Sequence, residues 1–222
     1  HSDEMKLLEK DNKVFFKKDR EESLKDAISK KFELAIFDDG LQDFKLKYDL
    51  QIVCFSSLLL AGNKLRIPSG PLREKLNNLR RYDAVFINGR NINRQFLKKI
   101  KLINPDIYIF SGEYVSSNYN KFKKNNYLTF SGIGNPISFK NTLNKYHIKN
   151  KLNLTYPDHY NYSELEIKKI KDIAKLKKLK ILTTEKDFYR IPIKLRKNIN
   201  FLKINLKIKK LKEFEKFIIK YL

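Results

Sequence analysis

The chain has 222 residues, 41% of them hydrophobic, enough to bury one large core or two small ones. Its single cysteine excludes an intramolecular disulfide and any multi-cysteine zinc site, and no apolar run is long enough for a membrane span or patterned as a signal peptide. A net charge of +23 favours polyanionic partners such as nucleic acid, anionic lipid or phosphorylated substrates. The basic residues are mostly lysines spread along the whole length, which is the pattern of a solvated surface more than of a binding stripe. The 12 tyrosines and 16 phenylalanines fall mainly in apolar runs, and no recognition motif accompanies them, so no nucleic-acid partner is expected.

In chain order, Ser2-Asp3-Glu4 precedes Lys6-Leu7-Leu8 as acids precede a helix. Val14-Phe15-Phe16 reads as a short strand, and Glu21 to Lys31 as a helix with Leu24, Ala27 and Ile28 on one face. Phe32 to Phe37 is too short for a typical helix and reads as a buried strand ending in Asp38-Asp39-Gly40. Leu50 to Phe55 reads as a second buried strand, with Cys54 as a buried structural thiol. The Gly/Pro-rich passage from Gly62 to Pro71 suits neither a helix interior nor a central strand and is a candidate crossing between lobes.

Leu72 to Arg80 reads as a basic helix, Ala84 to Ile87 as a strand ending at Asn88-Gly89, Ile92 to Ile103 as a helix, and Ile107 to Phe110 as a strand. Val115 to Asn126 is polar and reads as a loop or edge hairpin. Tyr127 to Phe130 is a strand running through Ser131-Gly132-Ile133-Gly134-Asn135-Pro136 into a helix from Ile137 to Tyr146. A strand at Lys151 to Thr155 leads to Pro157-Asp158-His159, and Ser163 and Glu166 form a capping box that opens a helix over 164–176. Ile181 to Thr183 is a strand delivering Thr184-Glu185-Lys186-Asp187; Asn200 to Ile204 is a strand, and Leu211 to Leu222 an amphipathic helix. Strands and helices alternate, which specifies an α/β fold with mostly parallel sheets flanked by helices.

Several groups that could do chemistry fall at strand ends or helix starts. Strand-end carboxylates such as Asp38 and Asp39 hold Mg²⁺ beside phosphates in many nucleotide enzymes, although Asp-Asp-Gly is also a common turn. The Gly132-Ile133-Gly134 turn could cradle an anion, but it lacks the third glycine of a dinucleotide fingerprint. His159 is one of three histidines, and an imidazole suits proton transfer near neutrality, although a structural hydrogen-bonding role is the commoner one.

Taken together, Asp38-Asp39-Gly40-Leu41-Gln42, Pro68-Ser69-Gly70-Pro71-Leu72-Arg73-Glu74, Ile87-Asn88-Gly89, Gly132-Ile133-Gly134-Asn135-Pro136, Pro157-Asp158-His159 and Thr184-Glu185-Lys186-Asp187 come in an order that resembles tetraacyldisaccharide 4′-kinase, the lipid A pathway kinase. The resemblance covers nearly the whole chain. It implies a two-lobed, P-loop NTPase-like fold, with residues 1–60 in the nucleotide-binding lobe, 61–72 crossing, and 73–222 forming a second α/β lobe. It also implies ATP- and Mg²⁺-dependent phosphorylation of the 4′-hydroxyl of an acylated glucosamine disaccharide 1-phosphate, by a peripheral enzyme at the cytoplasmic face of the bacterial inner membrane.

By the same resemblance Asp3 is the base, assisted by His159. Asp38, Asp39 and Glu4 are the metal-site acids, and Gln42, Arg20, Arg73 and Asn88 are candidates for positioning substrate or phosphate. Three departures stand out: Ser2 replaces a glycine, Asp43 stands where relatives often place histidine, and no Gly-rich loop with Lys-Ser or Lys-Thr occurs in these residues. The chain begins with His1, just after such a loop would end, so the expectation is an N-terminally incomplete form without its first strand, surface helix and P-loop, and without ATP turnover on its own. The alternative expectation is a non-catalytic remnant that binds anionic lipid or another polyanion.

Overall fold

The computed structural model describes residues 12–222. The chain forms two compact units: Phe15–Tyr114 with Leu206–Leu222, and Val115–Asn205 with the described residues up to Val14. The sheets are mostly parallel and flanked by helices, as the alternating pattern specifies. Residues 61–72 do not cross between units. They fold back within the first one, where the Ile67 amide donates to the Leu72 carbonyl at 2.9 Å.

In the first unit, helix α1 (Arg20–Ser29) is capped by Asp19, whose carboxylate accepts from the Glu21 amide. Strands β1 (Ile52–Ser56), β2 (Ala84–Asn88) and β3 (Tyr108–Ser116) pair in parallel, and β8 (Ile204–Ile208) lies beyond β3. Alternate residues of β2 supply two cores. Val85 and Ile87 pack with Phe96 and Ile100 of α2 (Arg94–Ile103), whereas Ala84 and Phe86 pack with Phe217 of α6 (Leu211–Ile219). Both faces are therefore covered, as a parallel sheet requires.

The second unit is a four-stranded parallel sheet of order β5-β4-β6-β7, built from β4 (Asn126–Ser131), β5 (Lys149–Thr155), β6 (Lys180–Thr184) and β7 (Ile199–Leu202). The chain leaves β4 through α3 (Pro136–Lys145) to β5 on one side. It then returns through α4 (Glu164–Leu176) to β6 on the other side. Right-handed crossovers in opposite directions put α3 and α4 on opposite faces. The cores follow that rule: Tyr127 and Leu182 pack with Phe139 and Leu143 of α3, and Leu128, Phe130 and Ile181 with Ile167, Ile170 and Ala174 of α4. β4 is thus the strand at which the winding reverses, and the crevice outside its C-terminal end is where such sheets bind ligands.

Some expected elements differ. Residues 14–16 and 32–37 form no strand; Phe32, Leu34 and Ile36 are exposed, Ile36 by 89%. Their composition suits a sheet interior, but burial needs a neighbouring strand and a covering layer, and among the described residues none pairs with them. Ile28 is exposed, so α1 buries Ala27 alone. The basic helix expected at 72–80 is a shorter 3₁₀ segment, Leu76–Arg81, in which Leu76 and the buried Leu79 share the three-residue period of that helix. Cys54 is exposed on β1, which is the edge of its sheet. β3 continues to Ser116, into the segment expected as a loop, and the strand expected at 200–204 is two, β7 and β8.

Phe130 is fully buried in β4 and lies edge-on to Tyr162 with ring centroids 5.2 Å apart. Phe130→Ala should lower the unfolding free energy by about 3–5 kcal/mol, measured by urea denaturation.

Candidate functional site

The strand ends of the second unit gather the motif residues. β4 exits through Ser131-Gly132-Ile133-Gly134 to Asn135, whose side chain caps α3 by accepting from the Ser138 amide at 3.0 Å, with Pro136 in the first turn. β5 exits into Tyr156-Pro157-Asp158-His159-Tyr160. The two loops touch closely. A Cβ on Gly134 would stand 2.8 Å from Asp158 Oδ2, and one on Gly132 would stand 2.9 Å from Tyr160 Cβ. Glycine at both positions lets the β4 turn approach the histidine loop.

That loop is fastened at both ends. Tyr156, Tyr160 and Tyr162 pack ring against ring at 4.8–5.4 Å. The Tyr160 hydroxyl donates to Glu166, which also accepts from the Ser163 amide at 2.9 Å and hydroxyl at 2.7 Å. The Ser163 hydroxyl and then Tyr160 stabilise the Glu166 carboxylate and lower its pKa. His159 itself has φ +57°, in the left-handed region, and its amide donates to Asp158 Oδ1 at 2.9 Å.

Beneath the loop lies Asp187, fully buried, in the short helix α5 (Glu185–Arg190) that follows β6. Its Oδ1 accepts from the Gly132 amide (3.0 Å), the Tyr162 hydroxyl (2.9 Å) and Arg190 Nη1 (3.2 Å), and its Oδ2 accepts from the Thr184 hydroxyl (2.6 Å). Burial, followed by the Asp187 charge and its hydrogen bond, raises the Tyr162 pKa steeply, so that phenol stays a donor. Arg190 also donates to the Gly132 carbonyl, and its Nη2 lies 3.3 Å from Nδ1 of His159. A buried carboxylate, an arginine and a half-exposed imidazole thus form one chain of contacts leading to the surface.

In the first unit the acids sit on a pinned turn. Arg20 Nη2 donates to the carbonyls of Asp38 (3.2 Å) and Asp39 (3.1 Å), while Nη1 lies 3.6 Å from Asp43. Asp39 has φ +53°, a conformation Asp tolerates better than most residues. Gly40 is buried, and its carbonyl accepts from the Tyr48 hydroxyl at 2.9 Å. Arg73 Nη2 holds the Asp39 carboxylate at 2.9 Å in an exposed pair. The turn stands near β1. Desolvation first, then the charges of Asp38 and Asp39, raise the pKa of Cys54, although that residue is exposed.

Gln42 donates to Glu74 at 3.0 Å, and Glu74 also accepts from Asn78, Arg81 and Tyr82. Desolvation works against the Glu74 carboxylate. The hydrogen bonds from Asn78, Gln42 and Tyr82 and the Arg81 charge outweigh it and lower its pKa. Asn88 ends β2, and its carbonyl accepts from the Ser57 amide at 2.8 Å.

Of the residues expected from sequence, Arg20, Asp38, Asp39 and Arg73 meet on one turn, with Gln42 joined to it through the chain and to Glu74. His159 stands in the second unit, at the winding reversal. Asp3 and Glu4 lie outside the described residues. No three His, Cys, Asp or Glu side chains cluster as a metal cage among the described residues. Mg²⁺ does not need one, because it keeps several waters and takes one or two carboxylates plus phosphate oxygens. Asp38 and Asp39 fit that donor set, with Asp39 shared with Arg73. Sequence reasoning passed over Arg190, Tyr162 and Glu74. Arg190 lies three residues after Asp187, one helical turn on, which was the legible signal.

The sequence pattern of the family described as Tetraacyldisaccharide-1-P 4'-kinase matches residues 2–222. The chain is 46% identical over 221 residues to the Tetraacyldisaccharide 4'-kinase of Pelagibacter ubique, covering 99% of this chain and 70% of that protein. It is 33% identical to the protein of that name from Elusimicrobium minutum, over 92% of this chain and 59% of the relative. It is 35% identical to the one from Rickettsia typhi, over 71% of this chain and 48% of the relative.

Asp187→Asn removes the carboxylate charge that faces the buried Arg190 guanidinium and should cost about 3 kcal/mol or more in urea denaturation. Glu74 has a lowered folded pKa, so its stabilisation is present above the ordinary glutamate range and is lost as pH falls through the folded value. Glu74→Gln should therefore destabilise the chain at pH 7, and the difference from wild type should shrink as denaturation is repeated at progressively more acid pH.

Proposed function

Since the chain belongs to the tetraacyldisaccharide-1-P 4′-kinase family, we propose that the protein carrying it transfers the γ-phosphoryl group of ATP to the 4′-hydroxyl of an acylated glucosamine disaccharide 1-phosphate. The observation that carries this reading is the match across residues 2–222, which takes in every motif named above. Supporting it, His159 stands on the loop packed against the β4 exit, the end of the sheet at which α/β folds bind ligands, beside tyrosines and the Asp187–Arg190 pair.

The step balances simply. The sugar oxygen forms a bond to the γ-phosphorus as its proton passes to the Asp3 carboxylate. The bond between the γ-phosphorus and the bridging oxygen breaks, and ADP leaves with the electron pair. His159 assists this proton transfer. Asp38 and Asp39 would hold Mg²⁺, which when bound neutralises charge on the phosphates. Arg20 fixes the backbone of that turn, and Arg73 fixes the Asp39 carboxylate. Gln42 and Glu74 tie the turn to the Leu76–Arg81 segment, and Asn88 sets the end of β2.

We also place the protein peripherally at the cytoplasmic face of the inner membrane. No helix among the described residues is long and apolar enough to cross a membrane, while a charge of +23 attracts anionic lipid.

The test is phosphoryl transfer from ATP with Mg²⁺ to tetraacyldisaccharide 1-phosphate by the full-length protein that carries this chain. Product is expected, with kcat reduced roughly 10²–10⁴-fold in Asp3→Asn and His159→Ala and little change in the KM for ATP. Wild-type kcat in both variants would remove those residues from the mechanism. Absence of product, with salt-sensitive binding to anionic vesicles, would favour a lipid-binding protein instead.

A further inference from the structure

The last helix carries more apolar surface than its sheet covers. The inward side chains of α6 are Phe214 and Phe217, with Tyr221 just beyond its end. Phe217 is buried with Ala84, Phe86 and Phe110, and Phe214 and Tyr221 pack against that core. Leu211, Glu215 and Ile219 stand four residues apart and form a second stripe along the helix, which Leu222 continues past its end. Leu211 is 49%, Ile219 66% and Leu222 74% exposed. A groove of about 340 Å³ runs here, lined by Ile208, Leu211, Phe214, Glu215, Ile218 and Ile219. Leu206, two residues before Ile208 and so on the same face of the edge strand β8, is exposed too and extends the patch. A contiguous aliphatic patch of this kind, rimmed by polar groups, marks an interaction surface.

Cations frame the stripe. Lys212, Lys216 and Lys220 repeat every fourth residue, each one position after a member of the stripe, and all three are exposed. Lys220 also reaches the Tyr108 hydroxyl at 3.4 Å. Lys207, Lys209 and Lys210 add exposed positive charge at β8 and the start of α6. From Leu206 to Leu222 six lysines stand against two glutamates, and Glu213 is engaged by Lys210 at 3.0 Å. Glu215 is the one acid in the groove.

We propose that this flank of α6, with the adjoining face of β8, docks on an anionic lipid bilayer: the aliphatic side chains enter the headgroup region while the lysine row meets lipid phosphates. This rests on the reading that the protein works peripherally at the inner membrane, and it names the surface that touches the lipid. With nine residues α6 is too short to cross a bilayer, so it lies in the plane of the interface. A second copy of the chain suits the surface less, because a symmetric contact would set one lysine row against another. A membrane supplies both halves of the match at once, an apolar layer bounded by negative charge.

The test places a reporter in the groove. These residues contain no tryptophan, so Ile219→Trp in the full-length protein is read as a difference from the parent. Vesicles of phosphatidylcholine, with and without phosphatidylglycerol, are prepared both plain and with brominated acyl chains. With the anionic vesicles the new tryptophan should shift to the blue and be quenched by bromine, less so as salt is raised. Leu102→Trp, 83% exposed on α2 across the sheet, should do neither. Lys212→Glu combined with Lys216→Glu should weaken vesicle binding about 10-fold or more, and Glu215→Gln should strengthen it.

An Ile219→Trp emission that ignores both kinds of vesicle overturns the proposal. So does one already blue-shifted without lipid and untouched by bromine, which means that another part of the full-length protein fills the groove. A shift that follows protein concentration alone assigns the groove to a second copy and overturns it as well, as does unchanged binding by the double lysine variant. The kinase assay separates this inference from the reading it rests on. The double variant should phosphorylate detergent-dispersed tetraacyldisaccharide 1-phosphate at the wild-type rate and vesicle-embedded substrate about 10-fold more slowly. If Ile219→Trp is quenched but the full-length wild-type protein transfers no phosphate, the lipid face stands and the kinase reading fails. Transfer without quenching has the opposite meaning.

Discussion

The ion pair of Asp187 and Arg190 is the interaction on which the second unit's candidate site depends. Removing two charges from water is costly, and their mutual attraction offsets that cost only when the remaining lone pairs and protons are also satisfied. Here they are. Both carboxylate oxygens accept, from a backbone amide, a phenol, a hydroxyl and a guanidinium, and the same guanidinium donates to the carbonyl of Gly132. One buried acid thereby sets the exit of β4, the start of α5 and the tyrosine that closes the histidine loop. Three strand ends far apart in sequence are locked to one another by a single side chain, so His159 stands on a surface that cannot relax piecemeal.

The first unit achieves order by other means. Its acidic turn is exposed, and the ion pair of Asp39 with Arg73 is solvent-screened and contributes little to stability by itself. The turn is held instead through its backbone: Arg20 takes two successive carbonyls, Tyr48 takes that of Gly40, and the buried glycine lets Phe37 and Tyr48 close over it. Backbone anchoring leaves the Asp38 and Asp39 side chains exposed, as carboxylates able to meet a hydrated cation must be. The contrast is chemical. The Asp187 charge is buried and saturated, whereas the Asp38 and Asp39 side chains are exposed.

Apolar periodicity made most of the fold legible. The strands at 84–88 and 126–131 and the helices at 94–103 and 164–176 were readable because each has a self-contained signal: a continuous β-branched or aromatic run, or a cap followed by residues repeating every three to four. The capping box of Ser163 and Glu166 located its helix to the residue. Phe32 to Phe37 misled for a reason of the same kind. Its composition reports what the segment can bury, whereas a strand also requires a partner edge, and an edge is not encoded locally. The shared motif order made the family membership legible too, with Asp38, Asp39, Arg73 and His159 as its candidate site residues.

By itself, then, the sequence determined the α/β class, the alternation of elements, the family and the residue types available for phosphoryl transfer, because these follow from local pattern and from motifs that survive in linear order. Only the tertiary structure decided that Arg190 meets the buried Asp187 on one side and the His159 ring on the other, that Gln42 leans on Glu74, and that the segment 32–37, expected as a buried strand, lies exposed. The contacts of Arg190 with His159 and of Gln42 with Glu74 join residues whose spacing in the chain carries no periodic signal, and they are fixed by where strand ends and loops meet once both faces of a sheet are covered.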